Sequence, residues 1–288
     1  MSLRSFHHSE FPADRLRAAR HESISVCVPA REEAATIGGV VASLVALREA
    51  GVVDQVVVVD ADSLDGTGAI AAARGAEVHR QHDLAPEFGP VVGKGDAMWR
   101  ALGVLTGDLV CFVDGDTVDF DERFACGLLG PLVCEPGVQF VKGYYRRPFR
   151  AGDVVAPTGG GRVTELTARP LLDAFYPQLT AFLQPLAGEM AARRELLERL
   201  AFCTGYAVET GLLLDVHADV GLAAMAQVDL DVRQNRHQPL EDLAPMAAAV
   251  LAAVRSRLER DGRLLDGCRE PLLERPPLAE LRALRAAG

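Results

Sequence analysis

Two short runs of this 288-residue chain place carboxylates where a buried strand ought to end. "VCFVDGDTVDF" is an apolar β-forming run that closes on Asp114-Gly115-Asp116, and "QVVVVDADS" closes on Asp60-Ala61-Asp62. Like charges this close repel each other unless a cation or a hydrogen-bond donor lies between them. At a strand end in an α/β sheet, such a pair can hold Mg²⁺ or Mn²⁺ against a diphosphate, the ion neutralising both partners. For an isolated D-x-D, a solvated Asp-Gly turn is the ordinary alternative. Further along, "PTGGGRVTEL" combines glycines, a helix start and the donors Arg162 and Thr164. Such a segment suits a phosphate, because backbone N–H groups can approach the anion closely; the alternative is a flexible loop with a solvated arginine. Glu209, in "GYAVETG", is an acid at an apolar helix start. There it either meets a ligand or is simply favoured by the helix dipole.

These groups need elements to hold them in place. "ISVCVPA", "QVVVVDADS", "EVHR" and "LVCFVDGD" read as strands, separated by helical runs at "TIGGVVASLVALREAG", "DGTGAIAAARGA" and "KGDAMWRALGVLTGD". Uniformly apolar strands alternating with helices predict a mainly parallel sheet covered on both faces. Ligands bind outside the carboxyl ends of such strands, where both acidic runs fall. In the second half, "GVQFVKGYYRRPF" and "GLAAMAQVDLDVRQNRHQPL" read as strands with polar exits. "LLDAFYPQLTAFLQPLAGEMAARRELLERL" reads as mostly helical with proline breaks, and "EDLAPMAAAVLAAVRSRLERDG" as an amphipathic helix. A short helix is expected in the tail after Pro276-Pro277. The expected organisation is one compact unit with an N-terminal extension (1–22), a first subdomain (23–118), a second subdomain (119–260) and a helical tail (261–288). Two glycine-rich decoys are set aside. "GPVVGKGD" is one residue short of a P-loop and lacks Ser or Thr after Lys94, and the first strand leads into "PAREEAATIGG" rather than G-x-G-x-x-G.

Composition narrows the function class. The chain is 49% hydrophobic and 24% charged, with net charge −10, which argues against nucleic acid as a partner. The N-terminus lacks the apolar core of a signal peptide, and no run is apolar enough to span a bilayer, so no membrane partner is expected. Six cysteines are scattered without a C-x-x-C, consistent with buried thiols in a reducing cytoplasm.

Taken together, "VCVPAREEAATI", "VVDADSLDGT", "GKGDAMWRAL" and "VDGD" resemble the nucleotide-sugar half of a GT-A glycosyltransferase. "FVKGYYRRPF", "TGGGRVTELTARPLL", "LQPLAGEMAARRELL" and "GYAVETGLLLD" are similar to the glucosyl-3-phosphoglycerate and mannosyl-3-phosphoglycerate synthase family, over about residues 23–257. The resemblance implies a GT-A fold, Rossmann-like, with a C-terminal helical extension, in which 23–118 is the nucleotide-sugar-binding subdomain and 119–260 the acceptor-binding and catalytic one. It further implies a retaining enzyme that is commonly a homodimer. This enzyme would move glucose from a nucleoside-diphosphate sugar, UDP-glucose above all, to the 2-hydroxyl of 3-phosphoglycerate, with Mg²⁺ or Mn²⁺ as cofactor. Other readings keep the fold with a different small anionic acceptor, or make the chain a sugar-nucleotide-binding protein without turnover.

Carried over residue by residue, the resemblance implies donor contacts at Pro29, Ala30, Glu33, Asp60, Ser63, Lys94, Asp114, Gly115 and Asp116. It implies catalytic roles for Glu209, Asp116 and Lys94. Acceptor contacts are implied at Gly161, Arg162, Val163, Thr164, Arg233 and His237, and metal ligation by Asp116. The chain departs from the family at the second metal ligand: Asn235 stands where the family has histidine, and His237 lies two residues on, where the family has an acceptor-contacting asparagine. Residues two apart share a face of an extended strand, so either Asn235 or His237 is expected to complete the site.

Overall fold

The computed structural model describes residues 2–146, 149–151, 154–156, 161–233 and 240–263. Ten strands are found among them: β1 (Arg4–His7), β2 (Ile24–Ala30), β3 (Gln55–Asp60), β4 (Glu77–Arg80), β5 (Leu109–Phe112), β6 (Phe140–Arg146), β7 (Phe149–Ala151), β8 (Val154–Ala156), β9 (Met190–Arg193) and β10 (Met225–Val232). The α-helices are α1 (Ala13–Ala19), α2 (Ile37–Glu49), α3 (Thr67–Ala73), α4 (Gly93–Ala101), α5 (Glu122–Cys134), α6 (Arg169–Phe175), α7 (Arg194–Arg199), α8 (Val208–Val220) and α9 (Leu240–Arg260). Eight strands form one sheet in the order β1-β10-β6-β9-β5-β2-β3-β4, while β7 and β8 form a separate hairpin. Every neighbouring pair in the large sheet is parallel except those made by β9, which runs antiparallel between β5 and β6.

The apolar strands are continuous because both faces of the sheet are covered. Successive residues point to opposite faces, and the core divides accordingly. Val26, Val28, Val56, Val58 and Cys111 join one apolar layer with α2 and α5. Cys27, Val57, Val59, Val110 and Phe112 join the other, with α4, α8 and α9. In α2, Ile37, Val40, Val41, Leu44 and Leu47 are buried, the spacing of one helical stripe. Asp121 caps α5 by accepting a hydrogen bond from the Arg123 backbone N–H at 2.9 Å.

Three departures from the sequence expectations matter for the site. The 171–200 stretch is not mostly helical: β9 lies inside it, and its antiparallel course brings the residues just before Met190 to the edge where the parallel strands end. The first 22 residues are woven into the molecule, since β1 pairs with β10, and Phe11 and Leu16 are fully buried. Helix α5 had no counterpart in the sequence reading. Its buried glycines Gly127 and Gly130 blunt the apolar pattern, yet Leu230 and Phe11 pack directly onto them. The expected short helix of the tail lies outside the described residues.

Candidate active site

All the parallel strands deliver their C-terminal ends to one edge, where Lys94, Asp114, Asp116, Glu209 and Arg233 come together. Lys94 stands in the first turn of α4, and its Nζ lies 2.6 Å from Asp114 Oδ1 and 3.1 Å from Glu209 Oε1. Arg233, at the exit of β10, donates to Asp114 Oδ2 at 3.1 Å and also to Asp116. The carboxylate pair of the D-x-D is therefore held by two cations. Burial alone would raise the pKa of Asp114, but Lys94 and Arg233 hold it well below the usual carboxylate range. Burial opposes the charge on Lys94, and Asp114 and Glu209 more than offset it, so its pKa is raised.

Arg233 is the hub of this arrangement, and its side chain is only 2% exposed. Beneath it, Glu189 Oε1 lies 2.5 Å from Nη1, and the Tyr145 hydroxyl accepts from Nη1 at 2.7 Å while donating to Glu189 Oε2 at 2.8 Å. The sequence reading placed Arg233 among acceptor contacts. The structure gives it a second set of partners, the two D-x-D carboxylates, while leaving it on the wall of a cavity shared with Lys94 and Glu209. Glu189 and Tyr145 were missed. The signal for Glu189 was an acid inside the apolar run "LAGEMAA", obscured by assigning that run to a helix.

Glu33 sits behind the acidic pair. Burial, followed by the charges of Asp116 and Asp114, pushes its pKa up to about 8, and its Oε2 is buried without a hydrogen-bond partner. A β-carbon on Gly115 would fall 1.8 Å from that oxygen, so the middle residue of the D-x-D must be glycine while Glu33 stays in place. Gly188 is constrained in the same way: a β-carbon there would meet Lys94 Nζ at 2.4 Å and both Asp114 oxygens at 2.6 Å.

A cavity of about 600 Å³ is lined by Pro29, Ala30, Glu33, Lys94, Asp116 and Tyr206, among others. Asp60 and Ser63 do not line it. Asp60 accepts from the Ser63 backbone N–H at 3.3 Å, and the Ser63 hydroxyl accepts from the Glu32 backbone N–H at 2.9 Å. The two residues thus brace the loops that shape the cavity. A second hollow of about 200 Å³ shares Lys94, Asp114, Asp116 and Tyr206 with the first, and adds Glu209, Arg233 and Val163. A third, of about 60 Å³, is bounded by Gly161 and Thr164 and shares Leu186 with the second. Gly161 has φ +76°, a left-handed conformation suited to glycine, and the chain becomes helical from Arg162 onward.

The residues present suit a hard divalent cation. Both oxygens of Asp114 are engaged by Lys94 and Arg233, whereas the Asp116 side chain is 46% exposed and lines the two larger cavities. Behind them the buried Glu33 Oε2 has no hydrogen-bond partner, leaving an oxygen of the hard type that such an ion prefers. Asn235 and His237, the alternatives for a second ligand, lie outside the described residues, so the fit rests on Asp116 and its surroundings.

Comparison with known proteins agrees with this geometry. Residues 25–146 match the model of glycosyl transferase family 2. The glucosyl-3-phosphoglycerate synthase of Mycolicibacterium smegmatis is 46% identical over 245 residues, covering 85% of this chain and 80% of the relative. The crystal structure of mannosyl-3-phosphoglycerate synthase from Rubrobacter xylanophilus superposes with a TM-score of 0.85 at 51% identity, covering 91% of this chain and 83% of that one. The Mycobacterium tuberculosis glucosyl-3-phosphoglycerate synthase, solved with Mn²⁺, UDP-glucose and phosphoglyceric acid, gives a TM-score of 0.81 at 43% identity, covering 89% and 88%. With the sheet order, the carboxylate pair and the glycine-rich helix start in the same chain, these likenesses establish that it belongs to the glucosyl-3-phosphoglycerate and mannosyl-3-phosphoglycerate synthase family of GT-A glycosyltransferases.

Proposed function

We propose that this chain transfers glucose from UDP-glucose to the 2-hydroxyl of 3-phosphoglycerate, with retention of configuration and with Mg²⁺ or Mn²⁺ as cofactor. The observation that carries this reading is the run of three hollows with shared walls, about 600, 200 and 60 Å³ in volume. The largest suits a nucleoside diphosphate, the middle one a hexose, and the smallest, at the helix start beside Gly161 and Thr164, a phosphate. Relatives solved with UDP-glucose, Mn²⁺ and phosphoglyceric acid support the same set of ligands.

Pro29, Ala30 and Glu33 form the wall for base and ribose. Lys94 places a fixed positive charge beside the D-x-D, where the departing diphosphate gains negative charge. Glu209 faces the hexose hollow and accepts sugar hydroxyls. Gly161, Arg162, Val163 and Thr164 present backbone and side-chain donors to the acceptor phosphate. Asp116, with Asn235 or His237, would hold the ion; when bound, it supplies Lewis-acid neutralisation of the leaving group.

A mannosyl donor is the second reading, favoured by the 51% identity to the Rubrobacter mannosyl enzyme. A matrix of UDP- and GDP-linked glucose and mannose against 3-phosphoglycerate and glycerate, read by mass spectrometry, tests both. Glucosylated phosphoglycerate formed from UDP-glucose, and abolished by EDTA, is the expected product. Transfer from GDP-mannose alone would select the second reading. Absence of transfer from every donor while UDP still binds would make the chain a binding protein.

A further inference from the structure

A different cluster lies where the N-terminal strand meets β10. We propose that His7, His8 and Asp231 form a second metal site, for a transition ion of the Zn²⁺ class, which pins the edge strand β1 to the end of β10. Asp231 Oδ2 lies 2.7 Å from His8 Nε2, and Asp231 Oδ1 lies 3.4 Å from His7 Nε2. One ligand atom from each of the three residues lies within 4.8 Å of the others, an arrangement found at no other place among the described residues.

The backbone is shaped to bring these groups together. Asp231 adopts φ +67°, uncommon for a residue other than glycine, where the register of β10 against β6 shifts between Asp229 and Val232. Residues held in such conformations mark places where the surroundings over-determine the geometry. On the other side, the imidazoles of His7 and His8 lie with centroids 4.4 Å apart. His7 Nδ1 is 2.7 Å from the Ser9 hydroxyl, and Glu10 accepts from the His7 backbone N–H at 2.7 Å. The Ser9 backbone N–H donates to His7 Nδ1 at 3.3 Å, so ligation through Nε2 would move the ring proton to Nδ1, where the Ser9 hydroxyl can accept it.

The donor set also selects the ion. Two imidazoles and one carboxylate suit Zn²⁺, Ni²⁺ or Cu²⁺, whereas Mg²⁺ and Mn²⁺ favour oxygen ligands. The site is thereby distinguished from that at Asp116. A hollow of about 390 Å³ bordered by His8, Asp121, Glu122 and Asp231 leaves room for a water as the fourth ligand. Two arginines border the cluster. Arg123 is committed to Asp121 and to the carbonyls of Leu230 and Val232, and Arg146, 3.6 Å from Asp231 Oδ1, is 71% exposed and can turn into solvent. Because Asp231 precedes Arg233 by two residues, an ion here steadies the strand end that presents the hub of the active site. The inference does not depend on the donor or acceptor assigned above.

The full chain, stripped with a chelator, is titrated with Zn²⁺ by calorimetry and with Co²⁺ by visible absorption, in excess Mg²⁺ and without substrates. Expected are one saturable equivalent of micromolar affinity, d–d bands from Co²⁺, and a rise in melting temperature. His8→Ala and Asp231→Asn should each weaken binding at least roughly 100-fold, because even outer-shell partners are worth about 10–100-fold. Asp116→Asn should leave binding unchanged. UDP binding by each variant serves as the check on folding. No saturable binding by the wild type, or binding that persists in His8→Ala and Asp231→Asn, would reduce the cluster to a proton-sharing His–Asp contact and overturn the proposal.

Discussion

At the scale of single residues, the D-x-D works through unequal partners. Asp114 is saturated by Lys94 and Arg233, while Asp116 keeps an exposed face towards the cavities. Asp116→Asn should therefore remove most transfer activity and weaken Mn²⁺ binding while the melting temperature stays close to wild type. Parallel turnover, calorimetry and thermal denaturation check this, and Mn²⁺ affinity equal to wild type would contradict it. Glu189 behaves in the opposite way. It is fully buried against Arg233 and Tyr145, so Glu189→Ala leaves a buried cation short of a partner, and should destabilise the fold by about 3–5 kcal/mol in chemical denaturation. The division between these residues explains what the sequence could reveal. Asp114 and Asp116 stand out because two acids end an apolar strand. Glu189 and Tyr145 meet Arg233 only through the sheet, 44 and 88 positions away along the chain.

At the scale of elements, the residues just before β9 and the glycine-rich helix start border the candidate site. Four residues sufficed to hide β9: "MAAR" has no β-branched residue and is followed at once by α7, so helical spacing overrode it in the sequence. Its neighbour β6 carries Lys142, buried and donating to the Ala187 carbonyl at 2.7 Å, just before Gly188 and Glu189. Burial lowers the Lys142 pKa from 10.5 to about 8. Below pH 8 the fold bears the cost of a buried ammonium. Between about 8 and 10.5 the unfolded chain binds more protons than the folded one, so stability rises with pH through that window. Denaturation of wild type and Lys142→Met across the same range should show the gap moving in favour of wild type, and a constant gap would mean an unshifted lysine. The helix start at Arg162 was legible because glycines followed by donors are a local pattern. Arg162→Ala should lower kcat/KM for the phosphorylated acceptor by roughly 10- to 150-fold, the loss of about 1.5–3 kcal/mol, while the donor KM changes little.

At the scale of the whole molecule, the parallel core was legible because valine-rich strands alternating with helices admit few arrangements. The N-terminal segment was not. It has no apolar run and reads as an extension, yet Phe11 fits against Gly130 of α5 and β1 completes the sheet edge. Phe11→Ala should lower stability by about 3–5 kcal/mol, measured by denaturant titration; a change within experimental error would mark the segment as an appendage. The same architecture gives the cavities of about 600 and 200 Å³ a common wall at Lys94 and Asp116, and the latter shares Leu186 with the hollow of about 60 Å³. The claim that this edge joins a nucleotide sugar to a phosphorylated acceptor is tested most directly by one ratio, kcat/KM for 3-phosphoglycerate over glycerate with UDP-glucose as donor, in wild type and in Arg162→Ala. A preference of at least roughly tenfold in wild type that collapses in the variant is the predicted result. Equal use of both acceptors by wild type, or an unchanged ratio in Arg162→Ala, would contradict it.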